Sequence, residues 1–331
     1  MGADLRRPDV HGASRHQVIR PLVSIVLLTR NGARTLPAAL AAIARQRADF
    51  AFEVVAVDSG SDDGTLALLE SAGHQVVSIR PDSFNHGLTR NLGVERARGK
   101  LIVFLVQDAA PASDDWLVRL TTPLRVNPAV AGSFCRQQPH PDATAITRQY
   151  LQMWMAASPS SRSIRLAAPG DLHRLEPMAQ LRLCAFDNVC SCIRRSVWEE
   201  IPFPETPIAE DLEWGKAALL AGHQLDFVAD AVVVHSHERS ARYEFARTYL
   251  LHRRLYHLFG LRTIPTATGL ARAVASCART HISWERQEPL HGPLARRAMR
   301  GLALAVAWPL GQYLGGLSAS RGWEPGRFAR I

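Results

Sequence analysis

Leu22-Val-Ser-Ile-Val-Leu-Leu28, followed at once by Thr29-Arg-Asn-Gly32, is the stretch that decides the fold. A short, nearly unbroken apolar run of this kind predicts a strand buried on both faces of a parallel sheet. Leu36, Leu40 and Ile43 then recur at helical spacing, with Thr35 placed as the N-cap. The unit repeats. Phe52 to Val57 reads as a second strand, ended by Asp58-Ser-Gly-Ser-Asp-Asp-Gly64, and a helix carrying Leu66 and Leu69 stops at Gly73. Gln75 to Ile79 is a third strand, Leu88 and Leu92 mark a helix expected to close at Gly99, and Leu101 to Val106 is a fourth strand ended by Gln107-Asp108-Ala109. This alternation implies right-handed crossovers and a parallel sheet. Ligands of such sheets sit beyond the carboxyl ends of the strands, which here carry Thr29, Arg30, Asp58, Gln107 and Asp108.

Outward from this repeat the chain is less regular. Residues 136–182 are rich in Pro, Ser and Arg and give no clear pattern. Phe186 to Trp198 reads as a strand pair or strand-turn, Glu210-Asp211 opens a helix with Gly222 at its end, and Ala231 to Val234 is the last clear strand. After Ser240 the pattern is helical. The expected division is a loose arm over 1–20, an α/β domain over 21–240 (halves at about 21–112 and 113–240) and a basic helical region over 241–331.

Composition bounds the class. Of 331 residues, 47% are hydrophobic and 21% charged, which excludes wholesale disorder. Mean hydropathy is −0.06, which argues against a polytopic membrane protein. The net charge of +9 is uneven: Arg239 to Ile331 holds 15 Arg against 4 acidic residues, net +11. Such a region attracts an anionic membrane, an anionic substrate or nucleic acid, or is a solvated helical face. The interleaved aromatics and RNA-binding motifs of a nucleic-acid binder are missing from the sequence. Five cysteines, an odd number without paired CxxC spacing, read as reduced, buried thiols rather than a disulfide framework or a zinc site. No apolar run follows the N-terminal Arg pair, so the cytoplasm is the expected compartment.

Neither GxGxxG nor GxxxxGK[ST] is present, so the common dinucleotide and P-loop readings are weak. Carboxylates at strand ends suit instead a nucleotide held by base and ribose, with a divalent cation on its diphosphate.

Val23 to Arg30, Val57-Asp58-Ser-Gly-Ser-Asp-Asp-Gly-Thr65, Gly87-Leu-Thr-Arg-Asn-Leu-Gly93 and Phe104-Leu-Val-Gln-Asp-Ala-Ala-Pro111 together resemble the family 2 glycosyltransferases. Phe186-Asp-Asn, Ile193 to Trp198, Ala209-Glu-Asp-Leu-Glu-Trp214 and Val234-His-Ser-His237 extend the resemblance, which is nearest the bacterial rhamnosyltransferase branch and covers about residues 20–240. It implies a GT-A fold: a Rossmann-like, mostly parallel sheet flanked by helices, here with a helical C-terminal extension. Thr29, Arg30 and Asp58 would line the nucleoside pocket, Asp58 bonding the base. Arg90 would lie near base or diphosphate. Gln107 and Asp108 stand at the family's DxD site, where this chain has a single carboxylate. Asp108 and His235, with His237 as a further candidate, would hold Mn²⁺ or Mg²⁺. Asp211 would be the general base of an inverting transfer, with Asp187, Asn188, Glu210 and Trp214 on the acceptor side.

Each assignment has a plainer rival. Asp58 also suits a turn cap, Asp211 a helix N-terminus, His235 a core histidine, and Trp198, Trp214 and Phe186 the core. The helix-start position of Asp211 predicts a lowered pKa, with burial and Glu210 opposing it. The implied donor is a nucleoside-diphosphate sugar, with rhamnose as the candidate sugar. The implied acceptor is a glycan or a lipid-linked saccharide in surface-polysaccharide synthesis. A sugar nucleotidyltransferase is the rival enzyme, although Thr29-Arg-Asn-Gly32 matches its signature poorly. Met299 to Leu317 is the most apolar stretch of the basic region: either an interfacial helix, with Arg296, Arg297 and Arg300 at lipid phosphates, or a helix packed on the protein.

Overall fold

The computed structural model describes residues 20–287, 293–324 and 326; residues 1–19 of the expected arm lie outside them. The chain opens with β1 (Val23–Thr29), α1 (Leu36–Ala44), β2 (Phe52–Asp58), α2 (Thr65–Ser71), β3 (Gln75–Ser78), α3 (His86–Arg96) and β4 (Leu101–Val106). These four strands are parallel, in the order β3-β2-β1-β4. The unbroken apolar runs have the cause expected of them. Val23, Ile25 and Leu27 of β1 enter one core with Leu36 and Ile43 of α1, while Val26 enters the other with Val94 of α3. Thr35 is the N-cap of α1, but its side chain caps no helical N–H. Helix α3 ends at Arg96, before Gly99, whose N–H is held by Ser24 Oγ at the foot of β1.

Next come β5 (Ala110–Pro111), α4 (Trp116–Val126), β6 (Val130–Gln138), α5 (Ala145–Met153), β7 (Arg162–Ile164), α6 (Pro177–Leu183), β8 (Cys190–Arg194), α7 (Arg195–Glu200), α8 (Glu210–Leu220) and β9 (Gln224–Val234). The sheet continues β4-β8-β6-β9-β5, with β7 also on β9. Here the direction changes: β8 is antiparallel to β4 and β6, whereas β6 and β9 are parallel. The segment expected as a strand pair or strand-turn is one strand running into α7. The last strand is far longer than Ala231–Val234: its first half, where Gln224, Asp226 and Asp230 interrupt the apolar residues, pairs with β6 and β7. The reversal at β8 decides where the site lies. Cys190 stands opposite Leu105, so Asp187 and Asn188, at the start of β8, share a rim with the ends of β1, β2, β4 and β9.

The C-terminal region is three helices, α9 (Ala241–Phe259), α10 (Ala267–Gln287) and α11 (Leu294–Ser320). Ser240 caps α9 through Tyr243 N, and Gly260 ends it at φ 66°. Helix α11 lies on α9 at close range: a Cβ on Gly315 would stand 2.4 Å from Tyr249 O. Its Leu304, Ala305 and Ala307 are buried, and Met299, Leu302 and Val306 face outward. Of the three arginines expected at lipid phosphates, two turn inward: Arg297 to Glu285, and Arg300 to Glu238 and Thr144 Oγ1. No helix among the described residues is long and apolar enough to cross a membrane. Four cysteines are buried and Cys277 is half-buried, and all five are free.

Candidate active site

The rim at β1, β2 and β4 is built from interlocked loops. Asp58 is fully buried. Its Oδ1 accepts from Thr29 Oγ1 (2.8 Å) and Ser61 Oγ (2.6 Å), and its Oδ2 accepts from Gly60 N (3.1 Å) and Ser61 N (2.9 Å). The carboxylate thus already serves four donors as a turn cap, the rival reading. A base N–H would have to displace one of them. Gln107 acts in the same way: its Oε1 accepts from Arg30 N and its Nε2 donates to Arg30 O, both at 2.9 Å. The residue standing where a second carboxylate was expected therefore fastens the β1 loop to the β4 loop. Gly32 allows this contact, since a Cβ there would lie 2.3 Å from Gln107 Oε1. The Arg30 side chain itself is exposed.

Beside this rim, Asp108, His235 and His237 offer ligand atoms that all lie within 4.8 Å of one another. The histidine Nε2 atoms are 3.1 Å apart, and Asp108 oxygens lie 3.8 Å from His235 Nε2 and 3.4 Å from His237 Nδ1. Burial pushes both imidazoles down to about 4; Asp108 opposes the shift, and for His237 the neighbouring His235 adds to it. They are therefore neutral at neutral pH, the form that ligates metals. His235 Nδ1 faces Gln137 Oε1 at 2.9 Å, and Gln137 Nε2 donates to Asp187 Oδ2 at 2.7 Å. An amide oxygen can only accept, so His235 carries its proton on Nδ1 and turns the Nε2 lone pair to the trio. One carboxylate oxygen and two neutral imidazoles suit a divalent cation, with the nitrogen ligands favouring Mn²⁺ over Mg²⁺.

The same hydrogen bonds lead on to α8. Asp187 Oδ1 accepts from Val189 N and its Oδ2 from Trp154 Nε1, while the next residue, Asn188, donates its N–H to Asp211 Oδ2 at 3.2 Å. Asp211 sits in the first turn of α8, behind Ala209 in the left-handed region at φ 64°. A non-glycine residue there is strained by roughly 1–2 kcal/mol. The helix-start position predicted a lowered pKa, but the opposite holds. Burial raises the Asp211 carboxyl to about 8, and the negative charges of Glu210 and Asp187 add to that. Withdrawal from water and two neighbouring carboxylates outweigh the helix N-terminus.

Glu210 has a different fate. It is buried against Arg90 Nη1 at 2.9 Å. Burial alone would raise its pKa, but Arg90 and then His86 hold it below the usual carboxylate range. Arg90, expected near base or diphosphate, is engaged in this buried pair with Glu210. Trp214, expected there too, is a core residue: it is fully buried, stacked near Phe186 and Phe203, with its indole N–H on Ile201 O. Phe186 and Trp198 are likewise occupied, Phe186 buried and Trp198 bonded to Asn91 Oδ1. The structure brings Asp108, His235, His237, Asp187, Asn188, Glu210 and Asp211 into one connected group, with Thr29, Arg30, Asp58 and Gln107 beside it on the same rim. Sequence reading missed Gln137 and Trp154, which lie in the stretch that gave no pattern. It also missed Arg239, whose Nη2 is 3.4 Å from His237 Nδ1, and Arg247, whose charge acts on His86, His235 and His237.

The mostly parallel sheet with this polar rim and flanking helices is a GT-A architecture. A family model, Glycosyl transferase family 2, matches residues 24–190. The chain is 32% identical over 231 residues to the O-antigen chain rhamnosyltransferase RfbN of Salmonella typhimurium, covering 69% of this chain and 70% of that one. It is 30% identical over 200 residues to the O-antigen chain rhamnosyltransferase WbaN of Salmonella anatum, covering 60% of each. Among solved structures it resembles a mannosyltransferase of Pyrobaculum calidifontis in complex with GDP-Man and Mn²⁺, with a TM-score of 0.56 at 17% identity over 93% of this chain and 89% of the other. The chain belongs to glycosyl transferase family 2 and is a glycosyltransferase; the nucleotidyltransferase alternative falls away.

Proposed function

We propose that the chain transfers a sugar, rhamnose as the first candidate, from a nucleoside-diphosphate donor to a hydroxyl of a glycan or lipid-linked acceptor in surface-polysaccharide synthesis, with inversion. The observation that carries this reading is the continuous set of contacts from Asp108 through His235, Gln137 and Asp187 to the Asn188–Asp211 pair. It joins a cation-binding end to a basic end. Identity to two O-antigen rhamnosyltransferases supports the choice of sugar and pathway.

Asp211 is the general base. A carboxylate with a pKa near 8 is a much better proton acceptor than an ordinary one, and a base matched to the operating pH is the efficient choice. It takes the proton of the acceptor hydroxyl as that oxygen attacks the anomeric carbon. The bond from that carbon to the diphosphate oxygen breaks, and the electron pair leaves with the nucleoside diphosphate. Asp108, His235 and His237 would hold a divalent cation, which when bound supplies positive charge for the departing diphosphate. Arg239 and Arg247 add fixed positive potential at the same place. Asp58, Thr29, Arg30 and Gln107 shape the nucleoside side, with Asp58 and Gln107 setting the loops rather than carrying charge to the ligand.

Residues 21–240 form the catalytic unit in this reading, and 241–331 a helical extension that docks onto it. Met299, Leu302 and Val306, exposed next to Arg296, support a peripheral position on the inner face of the cell membrane. Flotation with vesicles of phosphatidylethanolamine and phosphatidylglycerol tests this, and loss of binding in Leu302→Glu is the expected result.

The central test is a panel of UDP-, GDP- and dTDP-sugars with and without Mn²⁺. Transfer from one nucleotide class, lost on chelation and restored by Mn²⁺, is expected. Activity unchanged by chelator would remove the metal role of Asp108, His235 and His237.

A further inference from the structure

Seven tryptophans occur in the chain, and most are committed to packing. Trp116 and Trp214 are buried, Trp198 is tied to Asn91, and Trp284 and Trp308 stack around Tyr150 and His281. Trp154 differs. It stands between α5 and the following turn, 38% exposed, and no aromatic ring or cation stacks on it among the described residues. Its one polar atom is fixed: Nε1 donates to Asp187 Oδ2 at 3.1 Å. Asp187 is held from three directions, by Trp154, Gln137 and Val189 N, and its neighbour Asn188 touches Asp211. A partly exposed indole is thus tied by its N–H to Asp187, next to the residue that contacts the candidate base, with no ring stacked on it among the described residues.

That combination has a chemical meaning. The C–H face of a pyranose is apolar and its hydroxyls lie around the edge, so it stacks on a flat ring and leaves the hydroxyls free to react. A side chain with an apolar body and a satisfied polar tip is suited to this task. Clamping the tip fixes the plane of the ring before the sugar arrives, and fixed orientation is what brings a nucleophile into line. The next residue, Met155, lines an open groove of about 730 Å³ whose walls also include Ile164, Arg165, Leu175, Met178 and Arg182. A saccharide lying on Trp154 therefore has room to extend away from the reacting end.

We propose that Trp154 is the stacking platform for the terminal pyranose of the acceptor and holds its nucleophilic hydroxyl toward Asp211. This rests on the sugar-transfer reading above. It also gives Asp187 a role as a positioning residue, anchoring the platform on one side while its neighbour contacts the base on the other.

The test uses the full chain, its active nucleotide sugar and p-nitrophenyl pyranosides as acceptors. Trp154→Ala should raise the acceptor KM 10- to 100-fold, with kcat at saturating acceptor falling less than threefold and the calorimetric Kd for the nucleoside diphosphate unchanged. Trp154→Phe keeps the ring and loses the bond to Asp187, and should recover most of the acceptor KM. Trp154→Leu keeps apolar bulk without a ring face and should behave like Ala. An acceptor KM within twofold of the original in Trp154→Ala overturns the proposal, as does Leu performing as well as Phe. Phe performing as badly as Ala also overturns it, because the role would then belong to the Asp187 bond. A parent protein that binds no nucleoside diphosphate would instead defeat the sugar-transfer reading itself.

Discussion

The two halves of the rim handle their carboxylates in opposite ways. At β2, Asp58 is surrounded by four donors, and Gln107 is closed on the Arg30 backbone through both ends of its amide. At α8, Asp187, Glu210 and Asp211 crowd together with one buried arginine between them, and the Asp211 proton is held to about 8. The first half is complete without a ligand; its polar groups maintain loop shape. The second is electrostatically strained without one. The contrast separates two kinds of carboxylate: one whose lone pairs are already used in holding loops, and one whose surroundings shift its proton affinity and so make it a candidate for chemistry.

The hardest way to break this comparison is at its reactive end. Asp211→Asn should lower transfer 10²- to 10⁴-fold, the usual range for a lost general base, while donor binding measured by calorimetry persists. An unchanged rate would move the base elsewhere. The pH dependence sharpens the same point. The group must lose its proton to act, so kcat/KM should rise about tenfold per pH unit below about 8 and level off above it. Stability should run the other way. A carboxyl raised from about 3.9 favours the folded state fully only below that value, and its contribution is lost as pH rises toward 8. Denaturant melts of Asp211→Asn should therefore lose part of the parent's decline between pH 5 and 8.

Arg90→Ala probes the buried pair. It leaves Glu210 uncompensated and should cost about 3–5 kcal/mol, read from urea unfolding. A much smaller loss would mean that His86 or water takes over. Asp58→Asn tests the satisfied half. The neutral side chain keeps the shape but weakens several acceptor bonds, so about 1–3 kcal/mol of stability should go, with the acceptor KM unaltered. Should the substitution instead abolish nucleotide binding with stability intact, the carboxylate serves the base directly. The smallest effect belongs to Arg300→Ala, an outlying pair with Glu238 that is partly open to water, at about 0–1 kcal/mol.

How much of this was legible in the sequence follows from the kind of force involved. β1, β2 and β4 announced themselves, because burial on both faces demands runs such as Val23–Leu28. β6 did not, because it carries Ser133, Arg136 and Gln137 among its apolar residues; Ser133 is nonetheless buried, its hydroxyl satisfied by Leu120 O. The first half of β9 was hidden for the same reason, with Gln224, Asp226 and Asp230 set among Leu225, Phe227 and Val228. In the site, Asp108, His235 and Asp211 could be named because family motifs mark them. Trp154 and Gln137 could not, since their importance arises only when β6, α5 and the start of β8 meet. The direction of the Asp211 shift was misread because a helix N-terminus is visible in a sequence, whereas the crowding of Glu210 and Asp187 requires coordinates.

One contact of the C-terminal helices reaches further than its modest strength suggests. Arg300 of α11 grips Glu238, and Glu238 Oε1 in turn accepts from Thr144 N at the start of α5. Glu238 directly follows His237, and α5 is the helix that ends at Trp154. A single side chain of the extension therefore splints two segments at once, the one bearing the imidazoles and the one presenting the indole. Enzymologists who trim this chain near residue 240 for convenience would be removing the brace that ties these two segments to the helical extension.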